Sequence, residues 1–350
     1  MCIAEDRTAC EPALRLLIES LDRNCSGLPI HIFYPPANES FMQWAKAYSQ
    51  VVVRTEPLHG AYHWNVKPHA ILHLLAEGCE EVVWIDSDVI AARSLTKLFQ
   101  GLASDTIAVA EEALWGAHSD VGALRARLWG FQVGRVLPFA INSAVVRVTR
   151  HHAPLLNRWK ELLESPEYKQ NQLLDWRDKP AHMMGDQDVL SALLTSREFA
   201  EIPVKVLRRG NDIIQYLGLS GYTVAERIKN ILFCSPSFIH AQGQKPWMID
   251  HGAGSTGKGK YTLREYIEAV YLDLSPYTLS AMSLSGALDG RAEWTRPHFA
   301  LSAALRLAGF WYPPLVGLPI AAFVDCASFV KGRAGRKRGG YADHFRPRSN

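Results

Sequence analysis

Two aspartates one residue apart, Asp86 and Asp88, follow directly on the apolar run Val82-Val83-Trp84-Ile85. Side chains alternate in extended backbone, so both carboxylates project to one side and could share a divalent ion. The same tripeptide, Asp86-Ser87-Asp88, also suits a turn or a helix cap. Position favours the chemistry. In open α/β sheets ligands gather at the carboxyl ends of strands, where a metal can carry a diphosphate and act as a Lewis acid on a departing nucleoside diphosphate. His240, after the apolar pair Phe238-Ile239, is the candidate third ligand, the other reading being a structural histidine. An imidazole beside two carboxylates favours Mn2+ over Mg2+ or Ca2+.

The string His240-Ala241-Gln242-Gly243-Gln244-Lys245-Pro246-Trp247 adds a glycine that lets backbone approach phosphate and a lysine that supplies a point charge. A surface turn is the plainer alternative. Shortly afterwards Gly252-Ala253-Gly254-Ser255-Thr256-Gly257-Lys258 matches part of a phosphate-binding loop, yet Gly259 stands where the magnesium-binding Ser or Thr belongs. With no buried strand leading into it, residues 252–260 read as a loop rather than a triphosphate site.

These residues need a scaffold that collects strand ends. Short apolar runs alternate with helical stretches, the pattern of an α/β domain on a largely parallel sheet. Strands are expected at residues 1–4, 30–34, 51–53, 81–85, 139–148 and 232–240, the last interrupted by Pro236. Helices are expected at 9–22, with Thr8 as its cap and Leu14, Leu17, Ile18 and Leu21 at helical spacing, at 64–77 and at 186–195. The core is expected to close near Leu274, giving a catalytic domain at 1–275 and an extension at 276–350. That extension carries an apolar, proline-interrupted stretch at 307–330 and a basic run, Lys331, Arg333, Arg336, Lys337 and Arg338.

The chain has 350 residues, 48% hydrophobic, enough for one large core. Its 38 basic and 35 acidic residues nearly balance, so no global field marks a nucleic-acid binder. Cys2, Cys10, Cys25, Cys79, Cys234 and Cys326 form neither a CxxC pair nor a compact framework, and Glu5 and Asp6 break any charged-then-apolar leader. A cytoplasmic protein is expected. Pro313, Pro314, Pro319 and Asp325 argue against a spanning helix, leaving two readings of the tail. It lies at the inner face of a membrane, with Phe310, Trp311 and Tyr312 at headgroup level, or it docks on the core.

Taken in order, Ala4-Glu5-Asp6, Lys67, Asp86-Ser87-Asp88, Asn142-Ser143, Gly185-Asp186-Gln187-Asp188 and the string from His240 make residues 1–247 resemble glycosyltransferase family 8, the retaining, glycogenin-like group. The resemblance implies a single GT-A type nucleotide-diphospho-sugar transferase domain, a UDP-glucose or UDP-galactose donor, and a glycan or glycolipid acceptor. It implies that Ala4, Glu5 and Asp6 lie along the nucleoside, and that Lys67, Ser87, Ser143, Gly243 and Lys245 bind the donor. Asp86, Asp88 and His240 hold the metal. Asn142, Asp186 and Gln187 surround the transferred sugar, with Asp186 or Asp188 as candidate base or nucleophile. Asp186 could instead cap its helix, and Asn142 could satisfy backbone at a bulge. Two departures stand out: one residue, not two, separates Gly243 from Lys245, and Ala144 replaces the family's glycine after Asn142-Ser143.

Two other functions use the same residues. A sugar-phosphate nucleotidyltransferase also needs carboxylates and metal, but residues 4–11 lack its glycine-rich phosphate loop. A non-catalytic carbohydrate-binding protein on the same fold would have little use for Asp86, Asp88, His240 and Lys245 together.

Overall fold

The computed structural model describes residues 1–335 except 26, 62–64, 113–120, 216–220, 234–235, 244, 249–261, 289, 291 and 310–313. The expected loop at 252–260, the aromatic triplet from Phe310 to Tyr312 and the basic residues from Arg336 onward therefore lie outside the described residues.

Ten strands are described: β1 Cys2–Ala4, β2 Ile30–Phe33, β3 Val51–Arg54, β4 Glu81–Ile85, β5 Val89–Ala91, β6 Ile107–Glu111, β7 Ile141–Thr149, β8 Val204–Leu207, β9 Ile213–Gln215 and β10 Phe238–His240. Seven form the central sheet in the order β3-β2-β1-β4-β7-β6-β8, and a small sheet has the order β5-β10-β9. The central pairings are parallel except those of β7, which runs antiparallel to β4 and β6. The fold is thus α/β, with a mostly parallel sheet flanked by helices.

The apolar run of β4 shows why this strand lies at the centre. Val82 and Trp84 join one core cluster, with Ile71 and Leu74 of the helix Val66–Ala76 and Trp159 of the helix Ala153–Glu164. Val83 and Ile85 face the other way, into the cluster that holds Leu14, Leu17, Ile18 and Leu21 of the helix Glu11–Asn24. A strand buried on both faces reads as a continuous apolar run because alternation no longer separates core from solvent. Truncating one of these leucines to alanine costs about 2–5 kcal/mol.

Several expected boundaries move for local reasons. Thr8 does not cap the first helix; Thr8–Cys10 form a 3-10 turn, and the helix starts at Glu11 with Pro12 in its first turn. The expected strand over 232–240 keeps only Phe238–His240. Thr223 and Glu226 make a reciprocal capping box that draws Val224–Leu232 into a helix, and Pro236 has no N–H for a ladder. β7 begins at Ile141, not at 139. The helix Asp186–Thr195 matches its expected bounds.

After Leu274 the chain stays on the protein for some distance. Tyr277, Ala281, Leu284 and Leu288 pack with Ile90, Ile214 and Ile239 of the small sheet. Asp273 accepts from the backbone N–H of His298 at 2.7 Å and from Ser302 Oγ at 2.6 Å. The Arg227 guanidinium, fully buried, donates to the carbonyls of Pro314 and Val316. Among the described residues no helix is long and apolar enough to cross a membrane.

Candidate functional site

The topology places one edge of the sheet under a cavity of about 730 Å3. Carboxyl ends of parallel strands collect there, and β7, being antiparallel, brings its amino end to the same edge. That is how Asn142 and Ser143 come beside Asp86, since Ile85 pairs with Val145 and Asp86 N donates to Ala144 O at 2.8 Å.

Asp86, Ser87 and Asp88 are not extended, as the alternation argument requires. Val89 N bonds Asp86 O at 3.1 Å and closes a turn, because the chain here leaves the central sheet to enter the small one. The carboxylates converge all the same. His240 reaches them through the ladder: it pairs with Val89, and Ala241 N donates to Asp88 O at 3.0 Å. One ligand atom from each of Asp86, Asp88 and His240 lies within 4.8 Å of the others. Two carboxylate oxygens and an imidazole nitrogen are a donor set that fits a divalent metal ion.

Two lysines sit against these carboxylates. Lys67, almost wholly buried, lies 3.0 Å from Asp86 Oδ1 and 3.2 Å from Asp186 Oδ2, and donates to Ser143 Oγ at 2.7 Å. Burial pushes its pKa down, but Asp186 and Asp86 outweigh that and hold it above the ordinary lysine value. Lys245 bonds Asp88 Oδ2 and the Ala241 carbonyl. With only Gln244 between it and Gly243, whose φ is +89°, Lys245 turns back onto Asp88. Burial works to raise the Asp88 pKa, yet Lys245 and His240 together hold it well below the carboxylate range. Asp86 goes the other way: burial raises it, Lys67 pulling against this. Trp84 Nε1 donates to Asp86 Oδ1 at 2.7 Å and fixes its rotamer.

At one end of the cavity Ala4, Glu5, Asp6, Arg7, Phe33 and Pro35 form the wall. Glu5 is fully engaged, accepting from its neighbours' backbone N–H groups, from Arg7 Nε at 2.8 Å and Nη2 at 2.9 Å, and from Ser87 Oγ at 2.5 Å. Asp6 is exposed. Of the two acids expected along a nucleoside, Asp6 is the one that faces outward, and Glu5 braces the turn.

At the other end lie Asn142, Met184, Gly185, Asp186, Gln187 and Gln242. Asp186 Oδ2 accepts from Ser143 Oγ at 2.6 Å, and the Asp186 carbonyl accepts from Trp159 Nε1 at 3.0 Å. Asn142 sits opposite a register shift between Val109 and Ala110, and its Oδ1 accepts from Ala144 N at 2.9 Å, so it does satisfy backbone at a bulge. Its Nδ2 donates to Gln187 Oε1 at 3.0 Å.

Asp188 is not brought to the cavity with the others. It is buried, bonded to the fully buried Arg125 guanidinium, and accepts from Gly185 N at 2.7 Å, closing the start of its helix. Burial, with Glu112 and Asp186 nearby, raises its pKa to about 6 against the pull of Arg125. Its position in the motif reflects the i to i+2 offset on a helix: Asp186 and Asp188 point to different sides.

Glu112 is absent from the sequence reading. It is fully buried and accepts from Asn142 Nδ2 at 2.9 Å, Gln187 Nε2 at 2.7 Å and Gln242 Nε2 at 3.0 Å. The signal was available: Ile107–Glu111 is an apolar strand that runs into Glu112 as β4 runs into Asp86.

No protein-family model matches the chain, and no curated protein matches it. Among solved structures it is similar to the galactosyltransferase LgtC in complex with donor and acceptor sugar analogs, with 14% identity over 71% of this chain and 89% of that one and a TM-score of 0.46. A bifunctional glycosyltransferase, WbbM, gives 14% identity and a TM-score of 0.45 over 70% of this chain, which spans only 46% of WbbM. The glycosyltransferase GlyE of Streptococcus pneumoniae TIGR4 gives 17% identity and a TM-score of 0.44, covering 81% of this chain and 63% of GlyE.

Proposed function

We propose that the chain is a retaining, metal-dependent glycosyltransferase of the family 8 type, moving a hexose from UDP-glucose or UDP-galactose to a glycan or glycolipid. The observation that carries this reading is the convergence, in one cavity, of Asp86, Asp88 and His240 with Lys67, Lys245, Asp186 and Gln187. The cavity volume suits a ligand of nucleotide-sugar size. A bound Mn2+ would be held by Asp86, Asp88 and His240 and would supply Lewis-acid stabilisation of a departing diphosphate. Lys67 and Lys245 would lie beside the phosphates, adding fixed positive charge where negative charge develops. Asp6 is the candidate contact to the nucleoside.

Retention is supported by where the carboxylates are engaged. An inverting enzyme needs a base opposite the leaving group. Asp186 is bonded to Lys67 and Ser143, Asp188 to Arg125, and Glu112 lies beneath three amides. Gln187 is a poor base but can stabilise positive charge on a sugar while the acceptor attacks from the leaving-group face.

A thermal-shift panel of nucleotide sugars, with and without Mn2+, tests the reading, because a ligand of the native state raises its apparent stability. Metal-dependent shifts with UDP sugars are expected; shifts only with a nucleoside triphosphate and a sugar phosphate point to a nucleotidyltransferase. Proton NMR of the first product should show an α-linkage from an α-donor. A β-linkage would rule out both retention and the family assignment.

A further inference from the structure

Glu112 stands at the centre of the amide end, and its chemistry dictates how the amides can point. A carboxylate only accepts hydrogen bonds, whereas each primary amide has one accepting and one donating end that are nearly the same shape. Glu112 Oε2 takes Asn142 Nδ2 at 2.9 Å and Gln187 Nε2 at 2.7 Å, and Gln242 Nε2 lies 3.0 Å from Oε1 and 3.2 Å from Oε2. With their nitrogens committed, the three carbonyl oxygens are turned away from Glu112. Asn142 Oδ1 goes to Ala144 N, and Gln187 Oε1 receives the second hydrogen of Asn142 Nδ2 at 3.0 Å. Gln242 Oε1 is buried with no donor among the described residues, although Gln242 lines the cavity.

We infer that Glu112 is a positioning residue: it sets the amide orientation of Asn142, Gln187 and Gln242 and so leaves the carbonyl oxygen of Gln242 as the acceptor at the sugar end of the cavity. The inference rests on the glycosyltransferase reading for the word sugar, but not for the network. A flipped Gln187 or Gln242 would set a carbonyl oxygen against the carboxylate, so the orientation is enforced by repulsion as well as by bonding. Gln242 then offers only an acceptor, and the group it reads on a ligand is a hydroxyl hydrogen. A neutral Gln at position 112 has nearly the same volume but can donate, which frees all three amides to turn. Asp keeps the acceptor character and is one methylene shorter.

Two readouts test this. In the side-chain amide region of a proton–nitrogen NMR spectrum of 15N-labelled protein, wild type should show exchange-protected NH2 pairs for Asn142, Gln187 and Gln242. Glu112→Gln should lose that protection in all three together, and Glu112→Asp should keep it. In Mn2+ with UDP-glucose or UDP-galactose, kcat for donor hydrolysis should fall about 10²-fold in Glu112→Gln with donor KM within threefold, as for misplaced reacting groups. Glu112→Asp should stay within tenfold of wild type. If Glu112→Gln gives no cooperative melt, Glu112→Asp decides alone by its retained amide protection. Unprotected amides in wild type, protection that survives Glu112→Gln, or an Asp variant as impaired as the Gln variant overturns the inference. A wild type with protected amides but no metal-dependent turnover or shift with UDP sugars leaves the network standing and removes the glycosyltransferase reading.

Discussion

The metal-ligand cluster and the amide cluster of the cavity rest on opposite electrostatic plans. Around Asp86 and Asp88 each carboxylate has a lysine, Lys67 on one and Lys245 on the other. Glu112 instead accepts from amides on three separate segments, none of which carries a charge. Charge acts over distance and tolerates displacement; amide bonds are directional and fail when a group turns over. The first cluster therefore depends on how much charge is present, and the second on which atom faces which.

Substitutions that remove charge without changing shape should separate the two most sharply. Asp86→Asn or Asp88→Asn should lower transfer about 10³-fold or more with the melting temperature little changed, the scale of losing a leading transition-state charge contact. Turnover of a UDP sugar measured with Mn2+ and again in chelator checks it, and full activity in chelator would sink the metal assignment. Lys245→Ala should cost about 10²-fold on the same ground, while Lys258→Ala should leave kcat as it was. Equal losses for the two lysines would reopen the phosphate-loop reading of residues 252–258.

The same contrast explains what the sequence made legible. Asp86, Asp88, His240, Lys67 and Lys245 are ionisable residues in short ordered strings, and an apolar strand running into acids is visible without a structure. The β4 run announced a strand covered on both faces, and 186–195 announced its helix to the residue. Glu112 had the same strand-end signature, but with Glu111 directly beside it and no acid two residues on it lacked the spacing that puts two carboxylates on one side, and its partners lie 30, 75 and 130 residues away, distances that only tertiary structure closes. Asp188 failed in the other direction. Its place in the string from Gly185 to Asp188 suggested chemistry, whereas the buried partner that claims it, Arg125, is 63 residues earlier in a helix with no motif of its own. The capping box of Thr223 and Glu226 was readable too, and the strand expected over 232–240 overlaps its helix only at Leu232.

Arg125 gives a test of that buried pair apart from catalysis. The folded-state pKa of Asp188, about 6, lies above the ordinary aspartate value of 3.8, so its carboxyl favours the folded state most at low pH. That contribution declines as pH rises from about 4 through about 6. Arg125→Met removes the cation that opposes this shift, leaving a buried carboxylate to ionise alone. Folding stability should drop by about 3–5 kcal/mol at pH 7.5 and by clearly less at pH 5, where Asp188 is protonated in the variant. Urea unfolding at the two pH values reads it; an equal loss at both would mean that Arg125 stabilises through packing and not through its charge.

The smallest expected effect concerns the far end of the chain, where the described residues of the apolar stretch at 307–330 are partly buried and partly exposed. Ala321 and Val324 are buried, and Asp325 accepts from Val224 N at 2.9 Å, which ties the helix Leu318–Gly335 to the helix Val224–Leu232. Leu307 and Phe323 instead remain 81% and 55% exposed. If the protein lies on a membrane, these outward residues insert while the inward ones keep the fold, and the basic residues from Lys331 meet anionic lipid. Truncation after Arg296 is a poor test, since it strips Ser302 and Arg306 from Asp273. The pair Leu307→Ser and Phe323→Ser removes apolar surface and nothing else, and each side chain is worth about 1.5–3 kcal/mol if fully buried in lipid. Partial insertion of both should lower flotation on phosphatidylserine vesicles about tenfold, with melting temperature and donor turnover unchanged. Wild type that floats no better than the double variant would remove the membrane role and leave the helix Leu318–Gly335 with Ala321, Val324 and Asp325 as its attachment to the protein.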